Sequence, residues 1–268
     1  MDTDLIEIIN GLSYHFNKFK IDFFIVGAKA RDILAKDVGL KESPRKTADV
    51  DFAILVDSWD TLAKLKNSFD EDSNIQCQNK TRYKFKATPF DIVPFGKNIE
   101  QDGKISFPPF YETLLTVTGY PEAMKTAKKF KVGSHEVKVT TAEMLVGLKL
   151  VSWDENNDRD KDAKDINFIF SNYSNIDVDV ELDIYDNFSN LVDDYAGDMS
   201  LATIELMGIR LNKFAAKEHK DLMIKILSDD AKKERLARSM IGSGAYSFED
   251  KDELILKQIN SLLAGLKK

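Results

Sequence analysis

Residues 47–57, TADVDFAILVD, place two aspartates, Asp49 and Asp51, one residue apart at the head of an apolar run. A run of this length predicts a buried strand, and side chains two apart on a strand share a face. Asp49 and Asp51 therefore project together, roughly 6.5–7 Å apart, while Val50 faces the opposite layer. Two carboxylates so placed repel each other, and burial costs them hydration. A divalent cation removes that conflict. Mg²⁺ takes hard oxygen ligands, usually one or two carboxylates with phosphates and water. A single further acid, Asp91, lies inside the apolar run PFDIVPF at 89–95. On a neighbouring strand it would complete a site for two ions about 3.5–4 Å apart. Asp-X-Asp also occurs in solvated segments. The chain holds such a decoy, IDVDVELDI at 176–184, which alternates acids with apolar residues and reads as a segment with one wet face.

The flanking sequence predicts an α+β organisation. Leu5, Ile8, Ile9, Leu12 and Phe16 recur at helical spacing. DFFIVGA (22–28) reads as a strand stopping at Gly27 in a tight turn, and KARDILAKD (29–37) as the following helix. Gly27 lets backbone approach a ligand closely, and the helix N-terminus offers amide donors and a positive dipole end for phosphate. Lys29 and Arg31 add charge nearby. The turn is neither a Walker A loop nor a Rossmann fingerprint. SWDTLAKLKNSF (58–69) predicts a helix capped by Ser58. RYKFKATPFDIVPF (82–95) predicts a strand pair or one bulged strand, since Pro89 removes a ladder donor. A hairpin is expected around Gly133-Ser134, and Thr140 with Glu143 has the spacing of a capping box opening a helix through Trp153.

Past about residue 141 the strand signals fade. Segments 186–195, 200–219, 220–239 and 250–267 read as helices, and 237–248 as a loop between late ones. The expected division is therefore 1–140 and 141–268. Within LKLVSWDENNDRDKDAKDI (148–166), Lys149 lies early on a helix. Lys161 and Asp165 have the spacing of a solvated intrahelical pair; the functional alternative is a lysine gripping a triphosphate with an acid–base network behind it.

A formal net charge of −7 supplies no global basic field for nucleic acid. Basic residues such as Lys217, Lys232, Arg235 and Arg238 alternate with Glu218, Asp221 and Glu234, as on solvated helix faces; the alternative is that they line a local RNA groove. The single cysteine, Cys77, fits a reducing cytoplasm. An acidic N-terminus is not a signal peptide, and no stretch reaches the roughly 18 apolar residues of a membrane span.

Taken in order, VGAKARD, RKTADVDFAI, FDIVPFG and LKLVSW…RDKDAKDI resemble the DNA polymerase β-like nucleotidyltransferase superfamily. Within it, the nearest branch is that of bacterial proteins similar to the AbiEii abortive-infection toxins, over residues 20–170. The resemblance implies a mixed sheet flanked by helices, with a catalytic domain over 1–140 and a helical domain over 141–268. It implies that Gly27 and Ala28 hold a nucleoside triphosphate, that Asp49, Asp51 and Asp91 hold Mg²⁺, and that Lys149 contacts phosphate. Arg45 and Thr47 match an R-x-T-x-D-x-D pattern, Arg45 steering phosphate and Thr47 supporting the strand. Many members carry Gly-Ser or Gly-Gly at the turn; here Ala28 removes a hydroxyl and leaves the backbone amides. The implied reaction moves a nucleotide to a hydroxyl of tRNA, protein or a small molecule, in a toxin or phage-defence protein paired with an antitoxin. The alternative is an inactive nucleotide-binding or protein-interaction module of the same fold.

Overall fold

The computed structural model describes residues 3–40, 47–111, 114–156, 160–242 and 248–268, with backbone alone at 248–252. The chain forms two compact units, Met1–Ile33 with Pro44–Thr141, and Leu34–Ser43 with Ala142–Lys268.

In the first unit, α1 (Thr3–Lys18) buries Leu5, Ile8, Ile9, Leu12 and Phe16 on one stripe. Strand β1 (Asp22–Val26) runs straight into α2 (Gly27–Asp37), so Gly27, at φ +69°, makes the whole turn. Then come β2 (Val50–Leu55) and α3 (Trp59–Asp70), where the Ser58 hydroxyl accepts the Thr61 amide at 3.2 Å. The 82–95 segment is a strand pair: β3 (Ile75–Cys77) is followed by β4 (Arg82–Phe85) and β5 (Thr88–Phe95), with the turn at Lys86, φ +52°. Strands β6 (Glu100–Gln101), β7 (Lys104–Ser106) and β8 (Leu114–Thr116) make a small separate sheet, followed by α4 (Tyr120–Thr126). Strands this short carry too little periodicity to read from sequence. The expected hairpin is β9 (Lys128–Val132) and β10 (His135–Val139).

The main sheet runs β3-β4-β5-β2-β1-β10-β9. Among the described residues β2/β5 and β1/β10 pair in parallel and the other neighbours antiparallel, so the sheet is mixed. One of its faces is aromatic. Phe16 and Phe69 pack over it, Phe16 to Phe52 at 6.0 Å and Phe69 to Phe90 at 6.0 Å between ring centroids, while Tyr83 stacks on Phe90 at 5.4 Å. Each such pair contributes about 0.5–1.5 kcal/mol beyond its buried area.

The second unit is helical: α5 (Ala142–Glu155), α6 (Asp160–Ile176), α7 (Val180–Asn187), α8 (Asn190–Asp194), α9 (Met199–Phe214), α10 (Lys217–Ser228), α11 (Asp230–Ile241) and α12 (Phe248–Leu266). Helix α5 is buried on nearly every side. The expected capping box does not form. The Glu143 carboxylate accepts the Tyr173 hydroxyl at 2.5 Å, and Thr140 Oγ1 is buried without a hydrogen bond. The alternating 176–184 segment is a turn and α7, which buries Val180 and Ile184 four apart and leaves Val178 and Leu182 exposed. Its acids are not all solvated, since Asp177 and Asp183 each accept from Arg210 at 2.9 Å. The helix expected over 220–239 breaks at Asp229, whose carboxylate caps α11 through the Lys232 amide at 3.0 Å. Helix α11 continues to Ile241, into the expected loop, while 243–247 lie outside the described residues. The late basic residues pair with acids, Lys217 with Asp221, Arg238 with Glu234, and Lys232 and Arg235 with Asp154. Among the described residues, no helix is long and apolar enough to cross a membrane.

Helices α9 and α12 touch backbone to backbone. A Cβ on Gly265 would stand 2.1 Å from the Glu205 carbonyl oxygen and 2.7 Å from the Ile209 nitrogen. Gly265→Ala is therefore expected to cost about 2–3 kcal/mol, read as a lower urea midpoint at unchanged slope. His219 is fully buried, and burial pushes its pKa down to about 4 against a smaller opposing pull from the Gly147 backbone. The unfolded chain binds this proton near the ordinary value of about 6.5. The stability is thus intact above that pH and is lost as pH falls towards 4, by about 3 kcal/mol. His219→Gln should flatten the stability–pH curve across that window.

Candidate active site

The aromatic face fixes where the acids go. Side chains alternate along a strand, so Phe52, Phe90 and Tyr83 on one face put Asp51, Asp91 and Arg82 on the other. The register makes these three neighbours: Asp51 is the partner of Asp91 across the parallel β2/β5 pair, and Arg82 is the partner of Asp91 across β4/β5. Adjacent strands lie about 4.8 Å apart. Asp49, just ahead of β2, completes the group through Arg82. The guanidinium donates from Nη2 to Asp49 Oδ2 at 2.5 Å and from Nη1 to Asp91 Oδ2 at 3.4 Å. The Asp49 hydrogen bond, with Asp91 and Asp51 behind it, holds Arg82 above its usual pKa range against partial burial. All three acids therefore act on one cation.

Gly27 supports the arrangement from β1. Its neighbour Val26 pairs with Asp51, and a Cβ on Gly27 would stand 1.9 Å from Asp51 Oδ2. The Asp51 carboxylate thus rests on bare backbone at the N-terminus of α2, where the helix dipole favours negative charge. Ala28 is buried beside it. Lys29 is nearly buried, and its Nζ donates to the Thr47 carbonyl at 3.4 Å. Arg31 does not present the charge expected of it: it is wholly buried and bonds Asp32 through Nε at 2.9 Å and Nη2 at 2.5 Å. Arg45 lies outside the described residues.

Sequence reasoning missed Arg82. The signal was available, because a two-residue turn at Lys86-Ala87 pairs Phe85 with Thr88 and so carries Arg82 opposite Asp91.

Within the second unit, Lys149 is 5% exposed and donates to Asp162 Oδ1 at 3.0 Å and Asp165 Oδ2 at 2.6 Å. Asp165 therefore turns to Lys149 rather than to Lys161, which is exposed. The lysine sits in an acidic pair, two of its three donors engaged.

Three carboxylates from adjacent strands are a hard-oxygen donor set suited to Mg²⁺. The cluster already accommodates positive charge in the form of Arg82. Among the described residues, however, no three ligand-type side chains are gathered as a ready metal cage. Asp49 and Asp91 are drawn to the guanidinium instead.

The family model described as "Nucleotidyl transferase AbiEii toxin, Type IV TA system" matches residues 34–252, well over half of the chain. No curated protein sequence matches. Among solved structures, an antigenic nucleotidyltransferase-like protein from Paracoccidioides brasiliensis is 20% identical, with a TM-score of 0.41 over 75% of this chain and 93% of that one. The antibiotic-resistance factor ANT(2'')-Ia is 13% identical, with a TM-score of 0.39 over 73% and 95% of the two chains. The lincosamide antibiotic adenylyltransferase LnuA, solved with lincomycin bound, is 16% identical, with a TM-score of 0.35 over 62% and 94%.

Removing the buried ammonium tests the second unit directly. Lys149→Met would take away the buried ammonium that Asp162 and Asp165 share and is expected to cost about 3–5 kcal/mol. Adding Asp165→Asn should recover part of that loss, measured by urea denaturation of both variants.

Proposed function

The chain belongs to the AbiEii nucleotidyl transferase toxin family, and on that premise we propose that it is a Mg²⁺-dependent enzyme moving a nucleoside monophosphate from a triphosphate to a hydroxyl acceptor. Asp49, Asp51 and Asp91 would hold the metal. When bound there, Mg²⁺ supplies positive charge to the phosphates in the transition state. Asp91 takes the proton of the acceptor hydroxyl as its oxygen attacks the α-phosphorus. The α–β phosphoanhydride bond breaks, and pyrophosphate leaves. The amide-bearing turn at Gly27 and Ala28, with Lys29 behind it, is the proposed phosphate cradle. Lys149 is the proposed further phosphate contact. Arg45 and Thr47 keep the phosphate-steering and strand-supporting roles, and Lys161 a peripheral one.

The observation that carries this reading is the pairing of Asp51 with Asp91, with Arg82 bridging Asp91 to Asp49. The proposed acceptor is a hydroxyl of tRNA, protein or a small molecule, the proposed setting the cytoplasm, and the proposed biological role that of a toxin in phage defence opposed by an antitoxin protein. Growth arrest on expression, relieved by the antitoxin, is the expected sign of that role.

Incubation with radiolabelled nucleoside triphosphates, Mg²⁺ and cell extract should label an acceptor. Asp49→Asn combined with Asp51→Asn should lower that transfer by at least about a hundredfold. Undiminished labelling by the folded double variant removes these acids from the mechanism.

A further inference from the structure

Arg82 comes from β4, in none of the four motifs VGAKARD, RKTADVDFAI, FDIVPFG and LKLVSW…RDKDAKDI, yet it holds two of the three acids. We propose that Arg82 is a positioning residue: it keeps the acids assembled before the divalent ion binds, then yields Asp49 and Asp91 to that ion and turns to the phosphates of the nucleotide. The inference rests on Asp49, Asp51 and Asp91 being the metal ligands.

Asp51 and Asp91 are direct cross-strand neighbours, a destabilising arrangement for like charges. One guanidinium fork offsets it, reaching Asp49 closely and Asp91 at the longer 3.4 Å. A divalent ion bound to the same carboxylates meets the guanidinium as a like charge at close range. The two cations therefore compete for the site.

The chemistry of arginine then supplies both halves of the role. The backbone of Arg82 is pinned, its amide donating to Asn79 Oδ1 at 2.8 Å and its carbonyl accepting the Gln78 amide at 2.8 Å. Its side chain is 38% exposed, so it swings without opening the core. Asp49 and Asp91, at 34% and 22%, are open to an incoming ion. A guanidinium released beside a nucleotide site matches phosphate oxygens in bidentate fashion.

The test is Mn²⁺ binding to the nucleotide-free full chain, followed by electron paramagnetic resonance of the free ion. Arg82→Gln should bind Mn²⁺ about fivefold more tightly than the parent, the scale of one partly exposed ion pair. In saturating Mn²⁺, the same variant should bind a non-hydrolysable triphosphate analogue roughly tenfold more weakly. A merely structural arginine gives the opposite metal result, because its loss disorders the ligands. Equal or weaker Mn²⁺ binding by folded Arg82→Gln overturns the proposal. If that variant does not fold, Arg82→Met, which removes the charge and keeps an unbranched stem, is held to the same criterion. Asp51→Asn reports separately on the premise. Its Mn²⁺ binding must weaken, and unchanged binding overturns the metal-ligand reading itself. Absence of Mn²⁺ binding by parent and Arg82 variants alike overturns both.

Discussion

Strands β2 and β5 run parallel with Asp51 opposite Asp91, and the aromatic layer behind them holds that alignment. Phe16, Phe52, Phe69, Tyr83 and Phe90 pack on one face of the sheet. A slip of one residue would turn those rings to the opposite face and drive the acids into the aromatic layer. The chemistry-bearing face is thus specified from behind, by residues that never meet a ligand. The same alternation explains why the carboxylates stay close despite their repulsion: the packing of large rings decides the register, and the guanidinium of Arg82 offsets what remains.

Much of this was legible in the sequence. The spacing of Asp49 and Asp51, the isolation of Asp91 in an apolar run, the cap at Ser58 and the hairpin at Gly133 are local patterns, and local patterns survive folding. What was not legible depended on partners far along the chain. The acids of 176–184 looked like one wet face of an alternating segment because Val178, Val180, Leu182 and Ile184 alternate with them; the helix instead buries only the pair four apart. Arg210 recruits Asp177 and Asp183, and nothing local announces that demand. Glu143 had the spacing of a helix cap, yet a distant tyrosine and arginine claim it. Arg31 had the right position for a phosphate ligand, but its side chain turns into the fold.

The helical unit uses ionic hubs where the sheet unit uses rings. Lys149 gathers two acids from α6, and Arg210 gathers Glu143, Asp177 and Asp183 from three different helices or turns. Such buried groups are poor sources of net stability, because desolvation opposes their attraction. Their value lies in geometry: a planar guanidinium with three acids and a phenol around it accepts few arrangements of the surrounding helices. The α9–α12 contact at Gly208 and Gly265 adds a steric version of the same restriction.

The main sheet stops at β9, where Lys128, Lys129 and Lys131 are all exposed, on both faces of the strand, with Lys129 paired to Glu136. An outermost strand carries unpaired amides and carbonyls that invite another chain to add on, and a row of ammonium groups repels such an addition. The border of the sheet is thereby guarded against fibrillar growth. Replacing those lysines with uncharged, β-favouring residues would turn a soluble margin into an adhesive one without altering the acid cluster on β2 and β5.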